Sequence, residues 1–67
     1  MPKLETLAHG IYGDFNYDGE EDVWYCLLCD HRGKDVGETG CDPDKEVVRM
    51  VAKAMALSIL RARARRR

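Results

Sequence analysis

The spacing of three cysteines constrains the fold of this chain more than any other feature of its sequence. Cys26 and Cys29 are separated by two leucines, and Cys41 follows after a polar, glycine-rich stretch. A C-x2-C pair is typical of a tight turn that brings two sulfurs together, and a short loop can return a third sulfur to the same point. Because zinc takes four soft or borderline ligands in a tetrahedron, the spacing predicts a Zn2+ site.

Three cysteines leave one position of such a tetrahedron open, and three other residues are candidates for it. We predict His31, which leaves the turn just after Cys29, because histidine is a common zinc ligand. Asp44 is an alternative because it follows Cys41 at the spacing of a second C-x2-C pair, and His9 would approach from the N-terminal segment. A simpler alternative is that the cysteines are buried as small apolar side chains.

The short length of the chain favours a stabilising ion. With 67 residues the chain forms one domain at most, and below roughly 70–80 residues a core seldom suffices without a metal, disulfides or a partner chain. An odd number of cysteines disfavours a closed set of disulfides. We find no apolar segment of the kind that targets or spans a membrane, so we expect a cytoplasmic location in which thiols stay reduced.

The pattern before the cysteines predicts a β-hairpin. Aromatic and β-branched residues are frequent at positions 11–17 and 23–27, as is typical of strands. Asp18-Gly19 between them favours a two-residue turn with positive φ at both positions.

This turn fixes a register for the hairpin. Gly13 would lie opposite Trp24, and the second strand would end in the C-x2-C turn. We therefore predict a hairpin and metal-binding turn over residues 10–41, with a short returning strand near residues 34–36.

A long helix over residues 43–63 completes the predicted α+β fold. Asp42 is a preferred N-cap residue and Pro43 suits the first helical position. Arg49, Lys53, Ala56 and Arg63 would lie on the polar side. The predicted apolar side is broad and contains Val47, Val48, Met50, Val51, Ala54, Met55, Ser58 and Ala62.

Charge is strongly segregated along the chain, although the net charge is only −1. Residues 1–46 hold all 12 acidic residues and four basic ones, whereas residues 47–67 hold seven basic residues and no acid. A basic segment of this kind suits a polyanion, because each phosphate that it neutralises releases a counterion. The predicted nucleic-acid contacts lie in the tail of residues 61–67 and are Arg61, Arg63, Arg65, Arg66 and Arg67.

The layout of residues 23–60 resembles the treble-clef and zinc-ribbon class of small zinc fingers. In that class a C-x2-C turn at the end of a hairpin faces two further ligands at or near a helix N-terminus. The resemblance is carried by Cys26, Cys29 and Cys41, and the chain departs from the class because it lacks a fourth cysteine or a histidine pair in the helix. The resemblance implies a zinc-stapled scaffold that binds nucleic acid or protein.

Two other ligand or redox interpretations are weaker. Asp14, Asn16 and Asp18 followed by glycine resemble the opening of the calcium loops of EF-hand and dockerin modules. However, Tyr25 occupies the twelfth position, where a carboxylate normally closes the site. A redox role for the C-x2-C pair needs a helix N-terminus to lower a thiol pKa, and the pair follows a strand pattern instead.

These observations predict a single metal-stapled α+β domain over residues 1–67 without enzymatic activity. The leading hypothesis is a cytoplasmic zinc protein that associates with DNA or RNA as a regulatory or accessory factor. The alternative is a protein-interaction module, an inhibitor or assembly factor, which binds a basic protein through its acidic hairpin and dimerises through its apolar helix. The Ala- and Arg-rich C-terminal segment is typical of GC-rich genomes and suggests a phage or mobile element.

Overall fold

Two eight-residue strands form the centre of the fold, and a shorter strand lies on each side of them. The computed structural model describes residues 3–65. The sheet is antiparallel, with its strands in the order β1-β2-β3-β4, and one helix follows it. The elements are β1 (Glu5–Ala8), β2 (Ile11–Asp18), β3 (Val23–Asp30), β4 (Asp35–Glu38) and α1 (Lys45–Arg65). The predicted α+β class is confirmed, whereas β1 was not predicted.

The central hairpin has a different register from the predicted one. Gly13 pairs with Leu28 and not with Trp24, because a four-residue loop replaces the two-residue turn. Asp18 shapes this loop by accepting a hydrogen bond of 3.0 Å from the backbone of Glu20. The register is shifted by four residues, and an even shift leaves every side chain on the face that the alternation assigns to it.

The C-x2-C pair lies inside β3, so the predicted turn at this position is wrong. The strand continues through both cysteines because β4 pairs with the edge of β3 that faces away from β2. In this pairing Leu27 lies opposite Glu38. The chain turns only after Asp30, whose carboxylate accepts backbone hydrogen bonds from Arg32 (2.8 Å) and Lys34 (3.0 Å). These two hydrogen bonds lower the pKa of Asp30, and the bond from Lys34 has the larger effect. The returning strand β4 confirms the short strand that was predicted near residues 34–36.

Helix α1 begins two residues later than predicted. Asp44 is the N-cap residue, since its side chain accepts a hydrogen bond of 2.9 Å from the backbone of Glu46 and so satisfies a donor in the first turn. Pro43 therefore precedes the helix. The helix continues past the predicted end near Arg63 to Arg65, the last described residue.

The buried side of α1 also differs from the predicted apolar side. Its fully buried residues are Val48, Ala52 and Ala56, whereas Met50 and Val51 are exposed. The small alanines let the helix lie close to the sheet, and this close approach leaves the larger apolar side chains outside. The seven buried apolar residues of the core are Leu7, Ile11, Cys26, Leu28, Val48, Ala52 and Ala56.

Charged side chains attach α1 to the edge of the sheet. The Arg49 guanidinium donates two hydrogen bonds, of 2.7 and 3.0 Å, to the Glu5 carboxylate in β1. This hydrogen-bonded pair lowers the pKa of Glu5. The Lys45 ammonium lies 4.7 Å from the centre of the Trp24 ring, within the range of a cation–π contact. Basic residues of α1 thus face the helix side of the sheet.

The closest packing in the core predicts the effect of adding one methyl group. A Cβ at Gly13 would lie 2.8 Å from the Cys26 sulfur and 2.9 Å from a Leu7 methyl. We expect Gly13→Ala to lower the free energy of unfolding by about 1–3 kcal/mol, as overpacking does. Urea unfolding followed by circular dichroism measures the loss.

Gly40→Ala is the matched control, because a Cβ there meets no atom within 4 Å. We expect its unfolding free energy to stay within about 0.5 kcal/mol of the original chain. Equal stability of the two variants would show that Cys26 does not pack against Gly13.

Candidate functional site

Cys26 is part of the hydrophobic core. Its exposed fraction is 0%, and its backbone N–H donates a hydrogen bond of 2.9 Å to the Thr39 hydroxyl. Burial raises the pKa of the Cys26 thiol to about 11. The thiol is therefore protonated near neutral pH and behaves as a small apolar side chain.

The other two cysteines lie elsewhere. Cys29 points to the opposite side of the sheet from Cys26, since the two are an odd number of residues apart in β3, and burial raises its thiol pKa. Cys41 is exposed in the segment after β4, where Asp42 forms a two-way backbone bridge with Trp24. The structure therefore does not bring the three sulfurs together.

The cysteines in this arrangement do not fit a zinc ion. The Cα atoms of Cys26 and Cys29 are about 10 Å apart at roughly 3.3 Å per strand residue, whereas sulfurs bound to one zinc each lie about 2.3 Å from it. Within residues 3–65, no group of three or more His, Cys, Asp or Glu side chains could hold a metal ion. Zinc binding stays a prediction, and it requires β3 to break between the two cysteines.

The distance between the Cα atoms of Cys26 and Cys29 also decides whether these two cysteines can form a disulfide. A disulfide needs Cα atoms about 4.4–6.8 Å apart, and all three cysteines are free. Cys26 and Cys29 therefore cannot form a disulfide while β3 is intact.

The remaining candidate ligands are dispersed. His31 is exposed in the turn between β3 and β4, and His9 is exposed between β1 and β2. The carboxylate of Asp44 is engaged in capping α1. The calcium-like residues Asp14 and Asp18 lie in the strand β2 and not in a loop.

The predicted phosphate contacts lie at the end of α1. Arg61, Arg63 and Arg65 are all exposed, and they follow the last apolar side chains of α1 that pack against the core, Ile59 and Leu60. Arg66 and Arg67 lie outside the described residues. The described arginines thus form a freely accessible basic helix end.

No described element covers the side of the sheet opposite α1. We call this side the open face. Alternation in β2 and β3, together with the observed register, assigns the residues that share it. They are Thr6, Tyr12, Asp14, Asn16, Asp18, Val23, Tyr25, Leu27, Cys29, Asp35 and Glu38.

Rows of side chains cross the open face. Leu27 lies between Asp14 on one neighbouring strand and Glu38 on the other. Cys29 lies between Tyr12 and Asp35, beyond a point where the β3–β4 register shifts by one residue, which brings Asp35 to the same side as Glu38. Each of these two rows places an apolar or thiol side chain of β3 beside a carboxylate of a neighbouring strand.

The sequence analysis did not predict the open face, although the alternation of side chains in β2 indicates it. Polar and acidic residues alternate with apolar or small ones in β2, as in Ile11, Gly13 and Phe15 against Asp14 and Asn16. This alternation is typical of a sheet with one covered and one open side.

A groove of about 550 Å³ lies at one end of the open face. Tyr12, Thr6, His31 and Arg32 are among the residues that line it. The groove extends the open face toward the β3–β4 turn and brings the basic side chain of Arg32 near the aromatic side chain of Tyr12.

The fold and this surface define a small α+β protein with one uncovered sheet face. Comparison of the chain with protein-family models, curated proteins and solved structures finds no match. The resemblance to treble-clef and zinc-ribbon proteins therefore stays a prediction. Within residues 3–65, no helix combines the length and the apolar character that crossing a membrane requires.

Single cysteine substitutions separate packing from metal binding. We expect Cys26→Ala to lower the free energy of unfolding by about 1 kcal/mol, as does deletion of one buried methylene-sized group. We expect Cys41→Ala, at an exposed position, to change it by less than about 0.5 kcal/mol. Chemical unfolding and elemental analysis of the purified protein provide both measurements.

A zinc site would give a different pattern, because removal of any ligand releases the ion. Comparable losses for Cys26→Ala and Cys41→Ala, with about one zinc per chain lost in both, would establish zinc binding and overturn the packing interpretation.

Proposed function

We propose that this chain is a non-enzymatic protein-binding module, an inhibitor or assembly factor, whose open face binds a basic surface of a partner protein. The observation that carries this proposal is the row in which Asp14 and Glu38 flank Leu27. It combines apolar contact area with negative charge on one uncovered sheet. Zinc has no part in this proposal.

The composition of the open face suits protein recognition. Tyr12 and Tyr25 offer large, rigid side chains, and tyrosine is enriched in protein interfaces. The carboxylates around them would steer a positively charged partner and set its orientation. An aliphatic or aromatic side chain of the partner would cover Leu27, while lysine or arginine side chains beside it would pair with the acids.

The basic side chains near the open face come from outside its strands, since Arg32 lines the groove at one end of the face and Lys3 and Lys45 line a second groove with Asp14. None of the four strands contains a lysine or arginine. Arg49 of α1 instead pairs with Glu5, and Lys45 lies over Trp24 on the helix side. Neither Asp14 nor Glu38 is in an ion pair among the described residues, so both carboxylates could receive positive charge from another molecule.

Binding to basic peptides tests this proposal. The probes are fluorescein-labelled peptides rich in arginine and leucine, measured by fluorescence anisotropy. We expect the double variant Asp14→Asn/Glu38→Gln to raise the Kd roughly tenfold, which corresponds to about 1.4 kcal/mol, because both carboxylates beside Leu27 lose their charge.

The matched control is Glu20→Gln/Glu21→Gln, which removes the same charge in the exposed loop between β2 and β3. We expect less than a twofold change for this control. Equal weakening by both double variants would mean that only net charge matters and would reject a site on the open face.

The exposed arginines favour a second candidate function, association with nucleic acid. Arg61, Arg63 and Arg65 lie on a helix end that bears no acidic residue after Glu46. They could contact successive phosphates without base specificity. This function ranks second because the open face would repel the same polyanion.

Binding to random-sequence duplex DNA over a salt series tests the second candidate. Nucleic-acid association would give a log–log salt slope of about −0.9 for each phosphate contacted, lost when residues 61–67 are removed. The open-face variant Asp14→Asn/Glu38→Gln should then bind DNA no more weakly than the original chain. A truncated chain that keeps its slope would exclude the arginines as the contact.

A further inference from the structure

The side of α1 that faces away from the sheet carries a continuous apolar stripe. Met50 is 70% exposed, Leu57 is 49% exposed and Val51 is 43% exposed. With Val47 and Ala54 they recur every three or four residues, which places them on one side of a helix. We call these five residues the outer stripe.

The ends of the outer stripe carry opposite charges. Asp44 and Glu46 lie beside its first residue, and helical spacing continues the stripe into Arg61 and Arg65. The exposed Ala54 lies midway between Val47 and Arg61. A helix with this pattern is complementary to its own copy in the reverse direction.

We propose that α1 pairs antiparallel with α1 of a second copy, with Ala54 of each chain at the point of closest approach. Met50 then packs against Leu57 of the other copy, and the two-fold axis repeats this contact. Val51 meets Ser58 on the other side of the axis. The small Ala54 side chains allow close helix packing at a crossing angle of about 20°.

Charge complementarity identifies a second copy as the occupant of the outer stripe. In the antiparallel arrangement, Arg61 comes beside Glu46 of the other copy, which also pairs with Arg49 of its own chain. Arg65 comes beside Asp44 of the other copy, which also caps its own helix. Opposed helix directions also bring the positive end of one helix dipole near the negative end of the other. A parallel pair would instead place like charges together at both ends.

The dimer uses a surface separate from the open face. It would therefore present two open faces on opposite sides, and each could bind a partner whether or not the other is occupied. A single helix pair forms the whole interface, so we expect a weak, reversible dimer.

Sedimentation equilibrium on the full chain, from about 5 μM to about 1 mM, tests the dimer over the affinity range that such an interface allows. We expect a monomer–dimer equilibrium, and we expect Leu57→Glu to weaken it at least roughly tenfold. Leu4→Glu is the matched control, since Leu4 has nearly the same exposure (47%) but precedes β1. Its dimer should be unchanged.

A charge exchange tests the antiparallel direction. Arg61→Glu places like charges at both ends of the pair and should weaken the dimer, and adding Glu46→Arg in the same chain should restore it. Glu46→Arg alone is the control, because it removes the Glu46–Arg49 pair within the chain and should weaken the dimer without restoring it. Circular dichroism confirms that each variant remains folded.

A chain that stays monomeric at all concentrations, or equal dimers of Leu57→Glu and Leu4→Glu, would overturn the proposal. Failure of the double variant to restore the dimer would rule out the antiparallel direction. None of these outcomes bears on peptide binding by the open face, which is measured separately.

Discussion

The alternation of side chains across β3 is the constraint on which the rest of the structure depends. β3 is the strand that pairs with both β2 and β4 and contacts the helix most extensively. Cys26 and Leu28 point toward α1 and are fully buried, whereas Leu27 and Cys29 point to the open face. One strand therefore supplies the centre of the core and the centre of the exposed surface.

The thin core explains why so much apolar surface remains outside. Ala52 and Ala56 bring α1 close to the sheet, and Gly13 leaves room for the Cys26 sulfur beneath it. Small side chains make this close packing possible, but they bury little area. Because a chain of this length gains only marginal stability from its own core, additional burial between two copies or against a partner would stabilise the fold.

Local sequence signals predicted the type of most elements but not their registers. The β-branched and aromatic residues of β2 and β3 indicated a hairpin, and the capping residues near Asp44 indicated a helix. The hairpin register depended on how Asp18 and Asp22 shape a four-residue loop, in which Asp22 adopts a positive φ. Strand β1 was missed because a four-residue strand has little periodicity of its own and forms by pairing with β2.

The candidate site was harder to predict for a related reason. The C-x2-C spacing is compatible with a turn or with a strand, and only the pairing of β4 with β3 distinguishes them. Likewise, α1 has apolar residues around most of its circumference, so its buried side is decided by which residues let the helix approach β3 closely. Both outcomes depend on contacts between segments distant in sequence.

The reactivity of the three thiols tests the alternation in β3 most directly. In the folded protein near neutral pH, a maleimide followed by peptide mass spectrometry should modify Cys41 rapidly and Cys29 more slowly. Cys26 should react only when the whole domain unfolds. Modification of Cys26 as fast as Cys41, or protection of all three until a metal chelator is added, would contradict the account.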